Sequence, residues 1–227
     1  MVSSLLQNIP IFSGLQDHDL EKIAHCAQPR HFQKNQVIMI EEENSDSLFV
    51  IETGSVKVTR TSEDGREVIL SLLAEGDFFG ELSLLDGGSR SATVVALEDS
   101  EIFILTRRDF MGILSNNPQS TDTLLKELAH RIRRSDEQIE GLSLGDAEHR
   151  IAQTLLRLAE DRGTVKHGKV TIENLPLQQD IANMSGTSRE TVSRMMHLLE
   201  SQNLIERRGH LLHILEYNRF RSLFHKS

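Results

Sequence analysis

The chain has 227 residues, of which 38% are hydrophobic, and a formal net charge of −9. No apolar run approaches the length of a membrane-spanning helix, and the N-terminus lacks the basic and long apolar segments of a signal peptide, so we expect a cytoplasmic protein with no membrane partner. The single cysteine, Cys26, excludes an internal disulfide and a four-cysteine metal site within one chain. We interpret it as a small buried hydrophobe.

The negative charge is unevenly distributed along the chain. Residues 146–227 contain 12 Lys and Arg against 10 Asp and Glu, whereas the rest of the chain contains 13 against 24. A weakly basic C-terminal part can bind DNA if its positive charge lies on one face. The overall charge therefore does not exclude a nucleic-acid partner.

Residues 1–30 contain two short helical patterns, at 5–9 and 18–27, with Asp17 as a possible cap of the second. From His31 to about Thr106 the pattern changes to short alternating or β-branched runs separated by Gly and acidic turns. The runs are 36–40, 47–61, 66–73, 91–97 and 100–105. The segment Glu63–Gly65 suits a hairpin turn. Strands at this spacing, with no long helix among them, predict an antiparallel barrel or jelly roll.

A glycine-rich segment at residues 76–96 has the chemistry of an anion site. Gly80 lets the backbone approach a ligand, and a helical turn starting at Glu81 would aim N–H groups at an anion. Arg90 and Ser91 follow, and a planar guanidinium binds two phosphate oxygens at once. An acceptor such as Glu81 fits if the ligand also has a sugar hydroxyl, as a nucleotide does. The alternative interpretation is a surface turn with an Arg/Glu salt bridge.

Residues 117–145 predict one long helix, with Asn117 as its cap and Pro118 at its first position. Side chains at alternating spacings of three and four form the a/d seam of a two-helix coiled coil. Ser135 interrupts the seam and needs a partner, which could be the other helix, a water or a ligand. The alternative is an ordinary amphipathic core helix. The seam positions are Leu125, Leu128, Ile132, Ser135, Ile139 and Leu142.

The C-terminal part predicts a helix at 147–161, loop and strand from 165 to 172, and then two helices joined by a turn at Gly186. Ser188 can cap the second of these helices, which gives helix-turn-helix geometry. Two strands around Gly209 predict a wing with Arg207 and Arg208 at its tip for phosphate contact. The apolar residues expected to pack inward from the second helix are Val192, Met195, Met196, Leu198 and Leu199.

The outward face of that second helix carries side chains that can identify bases. Arginine pairs best with guanine and glutamate accepts from cytosine, which suits Arg189, Glu190 and Arg194 to base contact, with Ser193 beside them. The alternative is a solvated helix face with an i,i+4 pair between Glu190 and Arg194.

Along nearly its whole length the chain resembles the CRP/FNR family (cyclic-AMP receptor protein and fumarate-nitrate regulator) of bacterial transcription regulators. FGELSLLDGGSRSATV resembles the phosphate-binding cassette of that family, and SRETVSRMMHLLESQNLI resembles its recognition helix. The resemblance implies an α+β chain with a cyclic-nucleotide-binding jelly roll at 1–116, a dimerisation helix at 117–145 and a winged helix-turn-helix domain at 146–227. It also implies a homodimeric activator that works with RNA polymerase, and no enzyme activity.

The resemblance implies cyclic AMP as the ligand and no metal. The Gly80–Glu81 pair would meet the ribose and phosphate, and Arg90 and Ser91 would hold the phosphate. Ser135 would meet the adenine amino group, but Asp136 stands where the best cyclic-AMP binders have a hydroxyl. A regulator without a ligand, or one that uses cyclic di-GMP or haem, is therefore the alternative. The implied ligand set is Leu70, Ser71, Leu73, Gly80, Glu81, Leu82, Ser83, Arg90, Ser91, Ala92, Arg131, Ser135 and Asp136.

The recognition helix matches two branches of the family. Arg189, Glu190 and Arg194 match the cyclic-AMP branch, whose half-sites resemble TGTGA, whereas Ser193 matches the fumarate-nitrate branch, whose half-sites resemble TTGAT. We expect double-stranded DNA with a TGTGA-like palindrome and half-sites roughly 34 Å apart. The implied DNA contacts are Gln179, Ser188, Arg189, Glu190, Thr191, Ser193, Arg194, His197, Arg207 and Arg208.

Overall fold

The computed structural model describes residues 6, 7 and 9–224, which fall into two compact units, Met1–Arg133 and Arg134–Ser227. The helical pattern predicted at 5–9 includes Leu5 and Asn8, which lie outside the described residues. A short 3₁₀ turn, Pro10–Phe12, precedes helix α1 at Asp17–Cys26. Within the described ranges, no helix is both long and apolar enough to cross a membrane.

The first unit is built around two four-stranded antiparallel sheets, as the strand spacing predicts. One contains β1 (Gln28–Phe32), β3 (Ser47–Thr53), β6 (Phe78–Phe79) and β8 (Ser100–Thr106), in the order β1-β8-β3-β6. The other contains β2 (Val37–Met39), β4 (Ser55–Thr61), β5 (Glu67–Ala74) and β7 (Thr93–Ala96), in the order β2-β7-β4-β5. Residues 48–51 of β3 are all buried, because this strand is covered on both faces.

Local turn chemistry sets the strand connections. Gly54, at φ +93°, joins β3 to β4, and Gly65, at φ +81°, completes the predicted hairpin between β4 and β5. The Gly65 N–H donates to the Ser62 carbonyl oxygen at 2.9 Å, which closes the turn. The inner faces of the sheets meet in an apolar cluster that includes Ile51 and Ile102.

Helices pack on the face of the β1-β8-β3-β6 sheet that points away from the other sheet. Helix α2 (Glu81–Asp86) follows β6, and α3 (Arg107–Asn116), which the sequence pattern did not reveal, buries Phe110. Helix α4 then occupies Pro118–Leu144, with Pro118 at its first position as predicted.

Two predictions for this unit are wrong. The Asn117 side chain does not cap α4 but donates to the Ile113 carbonyl oxygen at 3.1 Å, because Asn117 is also the C-cap of α3 and its backbone N–H donates to the same oxygen at 3.0 Å. Cys26 is exposed rather than buried, because it is the last residue of α1, one turn beyond Ile23, the last of the buried residues of that helix.

The second unit contains a helix-turn-helix motif and a four-stranded sheet. Its elements are α5 (Ala147–Arg162), β9 (Gly163–Lys166), β10 (Lys169–Ile172), α6 (Gln178–Ser185), α7 (Arg189–Ser201), β11 (Ile205–Arg208), β12 (Leu211–Ile214) and α8 (Tyr217–Phe224). The sheet order is β11-β12-β10-β9. Helix α8, with Phe220 buried, is a second element that the sequence pattern did not reveal.

Candidate nucleotide and DNA sites

The anion segment is shaped by Gly80, which immediately precedes α2. Its φ of +84° is in the left-handed region, and a Cβ at this position would lie 2.6 Å from Arg90 Nη1 and 3.1 Å from the Ser47 carbonyl oxygen. Only glycine permits both the backbone conformation and this approach. The segment therefore folds as predicted, with α2 starting against the side chain of Arg90.

Arg90 is only 2% exposed, and its guanidinium holds the segment to the start of β3. Nη1 donates to the Gly80 carbonyl oxygen at 2.6 Å and to Ser83 Oγ at 2.9 Å. Nη2 donates to Ser45 Oγ at 2.9 Å and to the Ser47 carbonyl oxygen at 2.6 Å. All four acceptors are uncharged, so these contacts do not neutralise the positive charge.

The surroundings of Arg90 keep its guanidinium charged but, among the described residues, do not satisfy all of its hydrogen-bond donors. Its Nε is buried and has no hydrogen-bond partner among the described residues. Burial lowers the pKa of the guanidinium, while the charges of Asp46 and Glu81 raise it, and arginine remains protonated under such shifts. The Phe49 ring lies beneath the guanidinium, with its centroid 5.6 Å from Cζ. An anion approaching the segment would meet a guanidinium whose four hydrogen-bond acceptors are all uncharged.

Glu81 and Arg131 form an ion pair between α2 and α4. Glu81 is 3% exposed, and its Oε1 lies 2.7 Å from Arg131 Nη1. Arg131 Nη2 donates to the Phe78 carbonyl oxygen at 2.9 Å, and Nε donates to Glu127 Oε1 at 3.1 Å. Burial raises the pKa of the Glu81 carboxyl, and the charge of Arg131 opposes that rise. The partner of Glu81 is thus a residue of α4, and the pair joins a buried carboxylate to a half-buried guanidinium.

The other residues implied as ligand contacts differ in their exposure to solvent. Ser83 and Ala92 are buried, Ser71 and Leu73 of β5 are half-buried, and Leu70, Leu82 and Ser91 are exposed. Ser135 and Asp136 belong to the second unit, so their contact with a ligand remains a prediction.

Helix α7 is held by a cap and an apolar stripe. Ser188 Oγ accepts from the Thr191 N–H at 3.2 Å, and Gly186 takes the left-handed turn at φ +59°, both as predicted. Four of the five predicted apolar positions are buried: Val192, Met195, Met196 and Leu199. The prediction for Leu198 is wrong, because it lies off this i, i+3, i+4, i+7 stripe and is 41% exposed.

The outward face of α7 presents Arg189, Glu190, Arg194 and His197 as exposed side chains. Hydrogen bonds from the Glu190 backbone and from Ser188 lower the pKa of the Glu190 carboxyl, which keeps it an acceptor at neutral pH.

The polar side chains beside this face have partners of their own. Thr191 and Ser193 are half-buried next to the exposed four, and Arg194 Nη2 donates to Thr191 Oγ1 at 3.2 Å. On α6, the exposed Gln179 donates through Nε2 to Asn183 Oδ1 at 2.9 Å.

The wing differs from the prediction in its arginines. The turn between β11 and β12 is formed by Gly209 and His210, so Arg207 lies within the strand. Arg207 pairs with Glu200 of α7 through two contacts of 2.7 and 2.8 Å, which raises the pKa of Arg207 and lowers that of Glu200. Arg208 is exposed and pairs with Glu206. Arg207 therefore ties the wing to α7, and Arg208 is the better candidate for phosphate contact.

Sequence reasoning missed Arg150, which binds three carbonyl oxygens in the second unit. Nε donates to Ser185 at 2.8 Å, Nη1 to Gly145 at 2.9 Å and Nη2 to Gly186 at 3.2 Å. An arginine in the first turn of a helix gives no local signal for such contacts.

Two family models match the chain in the order of its units. The model described as a cyclic nucleotide-binding domain matches residues 29–117, and the model described as a Crp-like helix-turn-helix domain matches residues 149–223.

Curated relatives and a solved structure extend the match to most of the chain. The cyclic AMP receptor protein of Thermus thermophilus is 32% identical over 200 residues, covering 88% of this chain and 89% of the relative. The cAMP-activated global transcriptional regulator CRP of Pasteurella multocida is 36% identical over 193 residues, covering 82% and 89%. A CooA variant from Carboxydothermus hydrogenoformans shares the fold, with a TM-score of 0.80 at 22% identity, covering 96% of this chain and 94% of that one. The chain belongs to the CRP/FNR family of transcription regulators, which combine a cyclic nucleotide-binding domain with a Crp-like helix-turn-helix domain.

Proposed function

We propose that the chain is a homodimeric, sequence-specific activator whose affinity for its operator is controlled by cyclic AMP bound in the β-roll. The observation that carries the proposal is the buried guanidinium of Arg90, which lies against Gly80 with only uncharged acceptors. The functional segments are 1–116 for the nucleotide, 117–145 for dimerisation and 146–227 for DNA. A typical coupling of about 1–3 kcal/mol would change operator affinity about 5- to 150-fold.

The phosphate of the nucleotide binds Arg90 and Ser91 in this proposal. Two of the four Arg90 bonds go to the hydroxyls of Ser45 and Ser83. Exchange of these neutral acceptors for phosphate oxygens replaces ordinary hydrogen bonds with stronger, charge-assisted ones. Glu81 accepts from the ribose, and the β5 residues line the pocket. Two relatives with more than 30% identity are named for cyclic AMP, which supports the choice of ligand.

Dimerisation uses the seam of α4. Leu125, Ile132, Ile139 and Leu142 are each about 60% exposed, at 60%, 62%, 61% and 59%. Burial of each such side chain contributes about 1.5–3 kcal/mol, so the stripe favours a second copy of the same helix. Leu128 is partly buried against the apolar core of its own unit and contributes less to the seam.

A ligand-independent regulator of the same fold is the second candidate. The observation that favours it is that both terminal nitrogens of Arg90 already have protein partners. In that case the Arg90 cluster would be a structural support rather than a phosphate site.

The proposed DNA partner is a palindrome with TGTGA-like half-sites, and helix α7 of each protomer binds one half-site in adjacent major grooves. The protein acts in the cytoplasm. After it binds DNA, it contacts RNA polymerase. Arg189 and Arg194 donate to guanine, and the ionised Glu190 accepts from cytosine. The exposure of all three side chains on one helix supports this assignment.

The DNA assignment is tested with Arg189→Ala and Arg194→Ala. Each should lose about 1–3 kcal/mol of affinity for the palindrome while binding to random DNA stays the same, because base contacts carry discrimination. Fluorescence anisotropy at one fixed salt concentration measures both affinities. Arg208→Ala is the matched control, since loss of a phosphate contact weakens both duplexes equally. Equal losses on both duplexes for the α7 variants would show that these arginines contact only phosphates.

A further inference from the structure

The second unit contains an ion cluster that neither proposed binding site uses. Arg134 of α4 pairs with Asp161 of α5 through both terminal nitrogens, and the Nη1–Oδ2 contact measures 3.2 Å. The two side chains are 36% and 30% exposed, so the pair is half-buried. Arg134 immediately precedes Ser135, the polar residue of the dimer seam. The cluster thus fixes α5 to α4 beside the position predicted to meet a ligand.

Asp161 lies where a carboxylate needs a cationic partner. It is the penultimate residue of α5, at the end of the helix where the dipole is negative. Arg157 lies one turn earlier on the same helix, where burial together with the charge of Arg134 lowers the pKa of its guanidinium and the charge of Asp161 opposes that shift. Among the described residues, Arg157 Nε has no hydrogen-bond partner. Asp161 therefore holds Arg134 by direct contact, and the helix α5 itself connects this pair to Arg157.

Arg157 connects this cluster to the helix-turn-helix motif. Its Nη2 donates to Thr154 Oγ1 at 3.1 Å, and Ser185 Oγ donates to the same oxygen at 3.0 Å. Thr154 and Ser185 are 0% and 2% exposed. Ser185 is the last residue of α6, directly before the turn at Gly186 that leads into α7. Buried polar groups that satisfy one another hold a defined geometry, so this contact fixes α5 against the turn.

We propose that Arg134, Asp161 and Arg157 are positioning residues for DNA recognition. Arg134 and Asp161 hold α5 to the segment of α4 that contains Ser135, and Arg157, on the same helix α5, holds the turn from which α7 starts through Thr154 and Ser185. The inference rests on the proposed function, because it assigns to these residues the link between the dimer helix and the base-contacting helix. None of them touches DNA in this assignment, so they act only on the orientation of α7.

The test uses Asp161→Asn, which keeps the shape of the side chain and removes its charge. We measure anisotropy of the full-length dimer on a duplex with two TGTGA-like half-sites and on a random duplex, with and without cyclic AMP. Palindrome affinity should change at least threefold in one of the two nucleotide conditions, while random-duplex affinity stays within twofold. Asp64→Asn, which removes the same charge from an exposed pair with Arg66 in the first unit, is the control and should change neither.

A double-mutant cycle separates a coupled pair from two independent effects. Arg134→Gln should reproduce the effect of Asp161→Asn, and the double variant should be no worse than either single one, because both remove the same contact. If the fold-change in palindrome affinity of the double variant equals the product of the two single fold-changes, the proposal is overturned. Arg134→Lys keeps the charge. On a logarithmic scale, its effect on palindrome affinity should be at most half of the effect of Arg134→Gln.

Hydrogen exchange gives a readout that does not need the operator. Amides at 185–191 should exchange at least threefold faster in Asp161→Asn than in the wild type. Their exchange rates should be unchanged in Asp64→Asn. If Asp161→Asn alters neither this exchange nor palindrome affinity, the proposal is overturned. If the wild type does not prefer the palindrome to the random duplex, the operator assignment fails while the exchange result still decides the role of the cluster.

Discussion

Arg90 and Arg131 carry the same charge within one unit, but their partners give them different roles. Arg131 faces the buried carboxylate of Glu81, which compensates its charge. Arg90 faces two backbone carbonyls and two hydroxyls, which do not. A phosphate would therefore be attracted to Arg90, whereas Arg131 is suited to report on the state of Glu81 from α4.

The close approach at Gly80 is testable by substitution. Gly80→Ala should lower the free energy of unfolding by about 1–2 kcal/mol from the positive φ and by a further 1–3 kcal/mol or so from displaced bonds of Arg90. Gly65→Ala is the matched control, because it has a similar φ of +81° but no atom within 4 Å of the added Cβ. Urea unfolding should show only the first loss for Gly65→Ala. Equal losses would mean that the Arg90 contact contributes nothing.

The Glu200–Arg207 pair predicts a pH dependence of stability. The hydrogen bonds from Arg207 hold the pKa of Glu200 below its usual value of 4.5. A carboxyl with a depressed folded-state pKa stabilises the fold above its unfolded pKa, and that contribution is lost as pH falls through the folded-state pKa. Glu200→Gln should therefore cost up to about 1 kcal/mol at pH 7 and less at pH 3, where protonation of the carboxyl removes part of that contribution. A cost that is equal at both pH values would contradict the assignment. Urea titrations at the two pH values measure it.

Among the described elements, α4 has the largest number of exposed large apolar side chains. Ile139→Asp should weaken the proposed dimer at least hundredfold. In a two-fold dimer the substitution removes about 1.5–3 kcal/mol of apolar burial from each protomer and places two carboxylates opposite each other. Sedimentation velocity across a concentration series measures the dissociation constant. Arg133→Glu, at an exposed position outside the seam on the same helix, is the control and should leave the dimer intact. An unchanged dimer in Ile139→Asp would place the interface elsewhere.

Elements with local signals were predictable from the sequence. The hairpin at Gly65, the cap at Ser188 and the turn at Gly186 are each set by the chemistry of a few adjacent residues, and the structure confirms them. The helices α3 and α8 were missed because each buries few side chains, Phe110 and Ile113 in α3 and Phe220 in α8, which find their partners only in the folded chain.

The candidate site was predictable only in part for the same reason. The sequence identifies Arg90 and Glu81 because both lie in one compact segment. Their partners are distant in sequence, since Ser45 and Ser47 precede Arg90 by more than 40 residues and Arg131 follows Glu81 by 50. No local pattern encodes such pairings.

At the scale of the whole molecule, the net negative charge comes from residues 1–145, whereas residues 146–227 have a small net positive charge. Residues 146–227 hold 12 basic against 10 acidic residues, and the remainder holds 13 against 24. Repulsion between the acidic part and phosphates would disfavour any docking in which the β-roll touches the duplex. The charge distribution thereby favours docking of the duplex on residues 146–227, which contain α7.

Ligand linkage is the prediction for the whole molecule. Cyclic AMP at 100 times its dissociation constant should stabilise the first unit by about 2.7 kcal/mol, and Arg90→Ala should abolish the shift while the dimer persists. Thermal unfolding with cyclic AMP, cyclic GMP and cyclic di-GMP compares the effectors. Arg66→Ala, at an exposed arginine, is the control. No shift with any of the three nucleotides would favour the ligand-independent regulator.

The three carbonyl contacts of Arg150 have a consequence for how the second unit melts. Gly145 follows the end of α4, and Ser185 and Gly186 end α6, so one guanidinium caps the negative ends of two helices. Neither end can fray without releasing the cation that holds the other. We therefore expect loosening at the end of α4 and loosening of the turn before α7 to occur as a single event, with equal opening rates at both places.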